Sequence, residues 1–173
     1  MIFKITGAFA ITVSCLFTAF YALQQKKRRI DSLMNTEKAL VLFKSEIGYS
    51  NEPLSEAFLN ISEFFNDDFK DIFVELSDKL KYLKGESAYE IWKEVWNKKA
   101  DSLGFKEEDK KAVMNFGKSL GYLDLEQQTN SIDILISYIR KKYEYLLDEY
   151  KTSSALYMRL GVLFGMIISI ALA

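Results

Sequence analysis

Apolar residues are concentrated at both ends of this chain, and the sequence between them mixes apolar and charged positions. No charged residue occurs from Ile5 to Leu23 or from Leu160 to Ala173. The first run is apolar on all sides and as a helix would be about 28 Å long, close to the thickness of a bilayer's hydrocarbon core. We therefore predict a transmembrane helix at residues 5–23, preceded by a short external N-terminus at residues 1–4.

A second transmembrane helix is predicted at residues 157–173. The uncharged stretch alone would be only about 21 Å long as a helix, a length that also suits a buried core helix. Including Tyr157 and Met158 restores a spanning length, and the guanidinium of Arg159 then lies near the inner boundary, from which it can extend to water. Residues 24–156 remain as one cytoplasmic domain.

Four consecutive cations follow the first apolar run, whereas only Lys4 precedes it. Because positively charged flanks are retained in the cytoplasm, this asymmetry predicts that the N-terminus lies outside, and the second span then places the C-terminus outside as well. A cleavable signal peptide is the alternative, although four cations just after a cleavage site would hinder export. The cations can also contact anionic lipid headgroups. The predicted topology and headgroup residues are Lys26, Lys27, Arg28, Arg29 and Arg159.

Small residues recur at helical spacing in both apolar runs. Such faces let helix backbones approach closely, which favours helix association in lipid. Small residues are also common in membrane helices generally. Pairing of the two segments, within one chain or between copies in a homo-oligomer, is therefore left open. The predicted packing residues are Ala10, Ser14, Thr18, Gly161 and Gly165.

The middle of the chain has apolar positions at the three-to-four spacing of amphipathic helices. We predict six helices, of which the first continues from the first apolar run through Gly48. The sixth runs from near Leu125 into the second apolar run, because no proline or glycine intervenes before Gly161. No alternation typical of strands appears. The predicted fold is all-α, a six-helix cytoplasmic bundle flanked by an N-terminal and a C-terminal transmembrane helix.

Local signals place several boundaries within this bundle. Gly85 predicts the end of the third helix, whose apolar stripe extends to Leu83. Ser87 starts a Ser-x-x-Glu capping box for the fourth. Trp92 and Trp96, four residues apart on that helix, are predicted core residues. A fifth helix is expected from near Glu107 to Leu120.

The composition excludes much catalytic chemistry. The chain has no histidine, and its single cysteine, Cys15, lies in the first predicted span. Ser-His-Asp and Cys-His sites are thus impossible, and the usual phosphate-binding loops are missing. Two carboxylate clusters, at residues 67–71 and 107–109, fall at predicted helix starts, where they stabilise exposed N–H groups. We predict no catalytic residue, cofactor or metal site, and the net charge of −1 gives no broad basic field for nucleic acid.

Several short motifs, in their order along the chain, are similar to those of one known family. They are Glu46-Ile47-x-Tyr49 ahead of Pro53-Leu54-x-Glu56-Ala57, Trp92, Phe116-Gly117-x-x-Leu120-Gly121-x-x-Asp124-x-x-x-Gln128, and Tyr157-x-x-Leu160-Gly161-Val162-Leu163-x-Gly165. With these motifs the chain resembles, nearly end to end, the stage III sporulation protein AB family of endospore-forming bacteria. Gly48 and the polar residues 50–52, which precede Pro53, depart from the family pattern.

The resemblance implies a subunit of a multi-protein complex in the mother-cell membrane around the forespore, where the complex is thought to form part of a channel. The family's cytoplasmic domain is similar to the helical platform domain of type II secretion and type IV pilus systems. The implied partners are the cytoplasmic ATPase, stage III sporulation protein AA, and other subunits of the complex. Packing, a helix stop and capping are alternative roles for the candidate partner contacts, which are Glu46, Tyr49, Pro53, Gly117, Gly121, Asp124 and Gln128.

Three classes of function follow. The first is a non-enzymatic membrane platform that docks the ATPase. The second is a membrane-anchored helical sensor or regulator that binds a small ligand. The third, an enzyme with a carboxylate-based site, is disfavoured by the missing histidine.

Overall fold

The computed structural model describes the backbone of residues 2–49, 52–82, 85, 87–120 and 125–172. Side chains are described for residues 13, 17–18, 20–48, 52–82, 85, 87–120 and 125–153. Within these residues the chain forms six helices and no strand: α1 (Ile2–Tyr49), α2 (Leu54–Ser62), α3 (Asp68–Lys81), α4 (Ala88–Ala100), α5 (Glu107–Gly117) and α6 (Leu125–Leu172). The all-α prediction and the six helices are confirmed.

The two long helices, α1 and α6, form an antiparallel hairpin that organises the fold. Each contains 48 residues, which corresponds to about 72 Å of helix. Ion pairs join them at both ends of the described bundle, Lys26 with Glu149 at 2.8 Å and Lys44 with Asp133 at 2.7 Å. We call the first of these the proximal end, because both helices continue from it into the apolar runs, and the second the distal end.

Helices α2 and α5 pack against this hairpin, α3 and α4 pack on them, and the four short helices alternate in direction. At its start α3 approaches α1, with Asp68 3.6 Å from Arg28, and at its end Lys81 lies 3.6 Å from Glu56 at the start of α2. Helix α4 returns, so that Lys99 lies 3.3 Å from Asp68. Because of this alternation, the C-terminal ends of α1, α3 and α5 all lie at the distal end.

Aromatic rings fill the centre of the bundle. Phe58 stacks on Phe43 of α1 with ring centroids 5.1 Å apart, and Trp92 lies 5.3 Å from Trp96. Trp92 is 3% exposed and Trp96 1% exposed, so the prediction that both are core residues is confirmed. Rings at this separation contribute beyond their buried area. Phe73 of α3 and Phe116 of α5 join the same cluster, so a few large side chains hold five helices against each other.

The helix boundaries predicted from capping residues largely agree with the structure. The Ser87 hydroxyl accepts a hydrogen bond from the Glu90 amide, and the Glu90 carboxylate accepts one from the Ser87 amide, which completes the predicted capping box. Gly85 has φ +92°, a conformation that favours glycine. Helix α3 ends at Lys81, before the described residues are interrupted at Leu83.

The predicted end of α5 was wrong by three residues. The helix stops at Gly117, and residues 118–120 form turns instead. The amide of Ser119 donates to the Phe116 carbonyl and that of Leu120 to the Gly117 carbonyl, both three residues back. These tighter bonds replace the four-residue pattern at the helix end.

Among the described residues, no helix is both long enough and apolar enough to cross a membrane. The side chains of Ala10, Ser14, Arg159, Gly161 and Gly165 lie outside the described set. Thr18 is described and is exposed.

Candidate interaction site

The structure brings the two predicted partner-contact segments to the same end of the bundle. Pro53 precedes α2 and is exposed, and its carbonyl accepts the amides of Glu56 and Ala57. Glu46, on the last turn of α1, is half-buried, and its carboxylate accepts a hydrogen bond from Asn60 at 3.3 Å. Helix α6 begins at Leu125, which lies at the same end of the hairpin as Glu46 and Pro53. Segments separated by about 70 residues thus share the distal end.

Gly117 and Gln128 are buried rather than available at the surface. A Cβ on Gly117 would lie 2.2 Å from Cδ1 of Trp92, so only glycine allows the two helices to pack this closely. Gln128 is 9% exposed, and its Nε2 has no hydrogen-bond partner among the described residues. Both positions therefore support the packing alternative over direct partner contact. The side chain of Tyr49 and the residues Gly121 and Asp124 lie outside the described set.

At the distal end, two exposed hydrophobic residues at helix ends were not predicted, and Ile134, beside Asp133, is 72% exposed as well. Tyr82, just after α3, is 75% exposed, and Leu125, the first residue of α6, is 52% exposed. Large apolar side chains left in water are candidates for contact with a partner. The sequence could have indicated this exposure, because neither Tyr82 nor Leu125 continues the buried apolar stripe of the adjacent helix. The exposed distal surface comprises Gly48, Glu52, Pro53, Tyr82 and Leu125.

The basic segment at the proximal end divides into two pairs. Lys27 and Arg28 are exposed, as a headgroup contact requires. Lys26 instead pairs with Glu149 across the hairpin. Arg29 does not fit the predicted headgroup contact, because it is 5% exposed and points into the bundle.

Arg29 forms a buried ion-pair network with the start of α5. Its Nε donates to Asp109 at 2.7 Å and its Nη2 to Glu108 at 2.9 Å. Burial opposes the charged guanidinium, yet these two carboxylates outweigh it and raise the pKa of Arg29. Glu108 also pairs with Lys142 of α6 at 2.7 Å. Lys142 and then Arg29 hold the pKa of Glu108 below its ordinary value. The network ties α1, α5 and α6 together.

The sequence contained a signal for the burial of Arg29. It lies four residues before Leu33 and eleven before Leu40, so it falls on the same helix face as these buried residues. Its place in a run of four cations masked this periodicity. A buried arginine needs a carboxylate partner, and Asp109 is the one provided.

The carboxylate clusters serve helix starts and ion pairs. The Asp67 side chain accepts the amide of Phe69, as an N-cap of α3 does. Lys99 joins Asp68 and Asp71 at 3.3 and 3.2 Å. At the other cluster, the Asp109 carboxylate accepts the Lys106 amide at 2.9 Å. Within the described residues, no group of three or more histidine, cysteine, aspartate or glutamate side chains is arranged to hold a metal ion.

A known protein family matches this chain over nearly its whole length. The model of the family described as stage III sporulation protein AB matches residues 4–173. The chain belongs to the stage III sporulation protein AB family. Stage III sporulation protein AB of Bacillus subtilis (strain 168) is 25% identical over 170 residues, which cover 98% of each chain.

A solved structure of stage III sporulation protein AB shares the fold. It superposes with a TM-score of 0.66 at 22% sequence identity and covers 72% of this chain and 97% of its own. The family resemblance inferred from the motifs is therefore confirmed. The names of these relatives describe a sporulation protein and no enzymatic activity.

Proposed function

We propose that this chain is a non-enzymatic platform subunit of the stage III sporulation complex, anchored in the mother-cell membrane around the forespore by residues 5–23 and 157–173. Its cytoplasmic domain, residues 24–156, would dock the ATPase, stage III sporulation protein AA, and contact other subunits of the complex. The observation that carries the proposal is that α1 and α6 each run without interruption from an apolar run to the distal end.

The continuous helices support mechanical coupling between a docked motor and the membrane. The ion pairs at the two ends, together with the pair between Glu37 and Arg140 between them, oppose sliding of one helix along the other. A hydrogen-bonded helix resists axial compression better than a loop. Displacement at the distal end would therefore reach both apolar runs together.

Docking is proposed at the exposed distal surface, because its apolar side chains lie farthest from the proposed membrane. The test is co-purification of the full chain with stage III sporulation protein AA from membranes of sporulating cells. Tyr82→Ser and Leu125→Ser should each reduce recovery of the ATPase severalfold, since each removes an exposed apolar contact. Phe64→Ser is the matched control, because Phe64 is 54% exposed but lies beside Lys38 on the flank of the bundle.

Equal loss of the ATPase in all three variants would argue against distal docking. If the two distal variants recovered as much ATPase as the control variant, that result would also argue against distal docking. Insertion of a flexible Gly-Ser segment near Tyr150 tests coupling separately. The inserted hinge should abolish sporulation while the ATPase still co-purifies, and full sporulation would refute rigid coupling.

The alternative is a helical sensor of a small ligand, and the closed aromatic core does not accommodate such a ligand. The cavity inside the aromatic core, between Phe43, Phe58 and Trp92, has a volume of about 10 Å³. That volume holds about one water molecule, whereas small-molecule sites usually occupy about 300 Å³ or more. A ligand-dependent rise in melting temperature would favour the sensor instead.

A further inference from the structure

A cleft opens at the proximal end between the two long helices and the turn that precedes α5. We call it the proximal cleft, and its walls include Leu23, Lys26, Lys106, Leu146, Glu149 and Ser153. Its volume is about 550 Å³, which lies within the usual range for small-molecule sites. The cleft therefore has room for a group of headgroup size.

Positive charge exceeds negative charge on the walls of the cleft. Lys26, Arg29 and Lys106 line it, and Glu149 is the carboxylate among its lining residues. Arg29 is already matched by Asp109. Lys106 forms no ion pair with another described residue, so its charge is available to a ligand.

The lowered pKa of Glu149 agrees with this excess of positive charge. Lys26, and to a smaller extent Lys106 and Arg29, hold the pKa of Glu149 below its ordinary value. The carboxylate stays charged beside these cations. It also competes with any added anion for Lys26, with which it is paired at 2.8 Å.

Polar donors and apolar surface are both present in the cleft. Gln25 and Ser153 line it together with Leu23 and Leu146. One turn of α1 nearer the apolar run, Phe20 and Tyr21 are 65% and 57% exposed. A ligand with an anionic head and an apolar body matches this gradient from charged to apolar walls.

We propose that the proximal cleft binds a phosphate group, supplied by the headgroup of an anionic phospholipid. The phosphate would lie between Lys106 and Lys26, and the acyl chains would leave past Leu23. This site differs from a nonspecific basic stripe, because Lys106 belongs to the turn before α5, 80 residues from Lys26. The lipid as the source rests on the proposed membrane anchoring, whereas the phosphate chemistry does not.

The test uses the full chain in a neutral detergent, titrated with dihexanoyl phosphatidylglycerol and followed by native mass spectrometry. Lys106→Gln should weaken binding about fivefold, the usual effect of one cation near an anionic headgroup. Glu149→Gln should tighten binding, because Lys26 is then released. Lys118→Gln is the matched control, an exposed lysine near the distal end, and should leave binding unchanged.

Separate arms identify the source of the phosphate. Dihexanoyl phosphatidylcholine, which has no net charge, should bind more weakly than phosphatidylglycerol. Inorganic phosphate should compete only at much higher concentration, because it lacks the apolar body. Competition at equal concentration would overturn the lipid as the source.

Equal affinity of the Lys106→Gln and Lys118→Gln variants for phosphatidylglycerol would overturn the site itself. Flotation of the chain with phosphatidylcholine vesicles tests anchoring independently. Failure to float would count against the proposed membrane platform. If the chain floats but Lys106→Gln leaves its affinity for phosphatidylglycerol unchanged, only the headgroup site is rejected.

Discussion

Replacing Gly117 by alanine tests whether the contact between α4 and α5 is as close as the structure shows. The added Cβ would lie 2.2 Å from Cδ1, 2.8 Å from Cγ and 2.9 Å from Nε1 of Trp92. Nonbonded carbon atoms prefer about 3.5–4.0 Å, so the indole or the helix must move by more than about 1 Å. Trp92 has little freedom to do so, since Phe58, Trp96 and Phe116 all contact its ring.

The expected loss of stability follows from these contacts. Overpacking of a filled core costs about 1–3 kcal/mol. The Trp92 Nε1 donates to the Val113 carbonyl at 2.9 Å, and leaving that buried donor unpaired costs about 1–3 kcal/mol more. The higher helix propensity of alanine returns at most about 1 kcal/mol. We expect Gly117→Ala to lower the free energy of unfolding by about 3 kcal/mol.

Urea unfolding of the full chain in detergent, followed by far-ultraviolet circular dichroism, measures this change. Gly48→Ala is the matched control, because a Cβ there meets nothing within 4 Å, and its effect should stay within about 1 kcal/mol. In a Trp92→Ala background, Gly117→Ala should cost almost nothing, since the clash is gone. A Gly117→Ala variant as stable as Gly48→Ala would refute the reasoning.

Three further predictions concern capping and the buried ion pairs. Arg29→Met should lower the free energy of unfolding by about 3–5 kcal/mol, because it leaves Asp109 buried without its cation; urea unfolding checks this, and Asp109→Asn in the same chain should recover part of the loss. Ser87→Ala should cost about 1 kcal/mol through the lost cap, whereas Ser87→Gly should cost only a few tenths. Glu108 has a lowered pKa in the folded chain, so its contribution is present above the unfolded pKa and is lost as pH falls through the folded one. Stability of Glu108→Gln should therefore fall less than that of the parent chain between about pH 5 and pH 3 in acid titrations. An identical fall would show that Lys142 and Arg29 do not lower the pKa of this carboxyl.

Features that depend on neighbouring residues were predictable from the sequence. The Ser87 capping box, the positive φ at Gly85 and the uninterrupted α6 each arise from residues within one or two helical turns. The core positions of Trp92 and Trp96 also followed from spacing alone, because an amphipathic helix has one apolar face to bury. The predicted end of α5 was wrong, because hydrogen bonds between residues three apart at positions 118–120 compete closely with continuation of the helix.

The candidate site was predictable only in part. The motifs indicated two segments as candidates for partner contact, and the alternating helix directions place the described parts of both at the distal end. Burial then separates them, since Pro53 is exposed while Gly117 and Gln128 are inside. A motif records that a residue type recurs, but it does not distinguish a surface contact from a packing requirement.

By itself, the sequence determined the helical class, most helix boundaries, the aromatic core and the family, because periodicity, caps and local motifs act over short distances. Only the tertiary structure decided which side chains of the basic segment face outward. Lys26 and Arg29 pair with Glu149 and Asp109, which lie more than 75 residues away along the chain. Arg28 also lies near a carboxylate, Asp68, but stays exposed. The physical reason is that an ion pair depends on distance in space, and one helix's sequence does not specify which helix packs beside it.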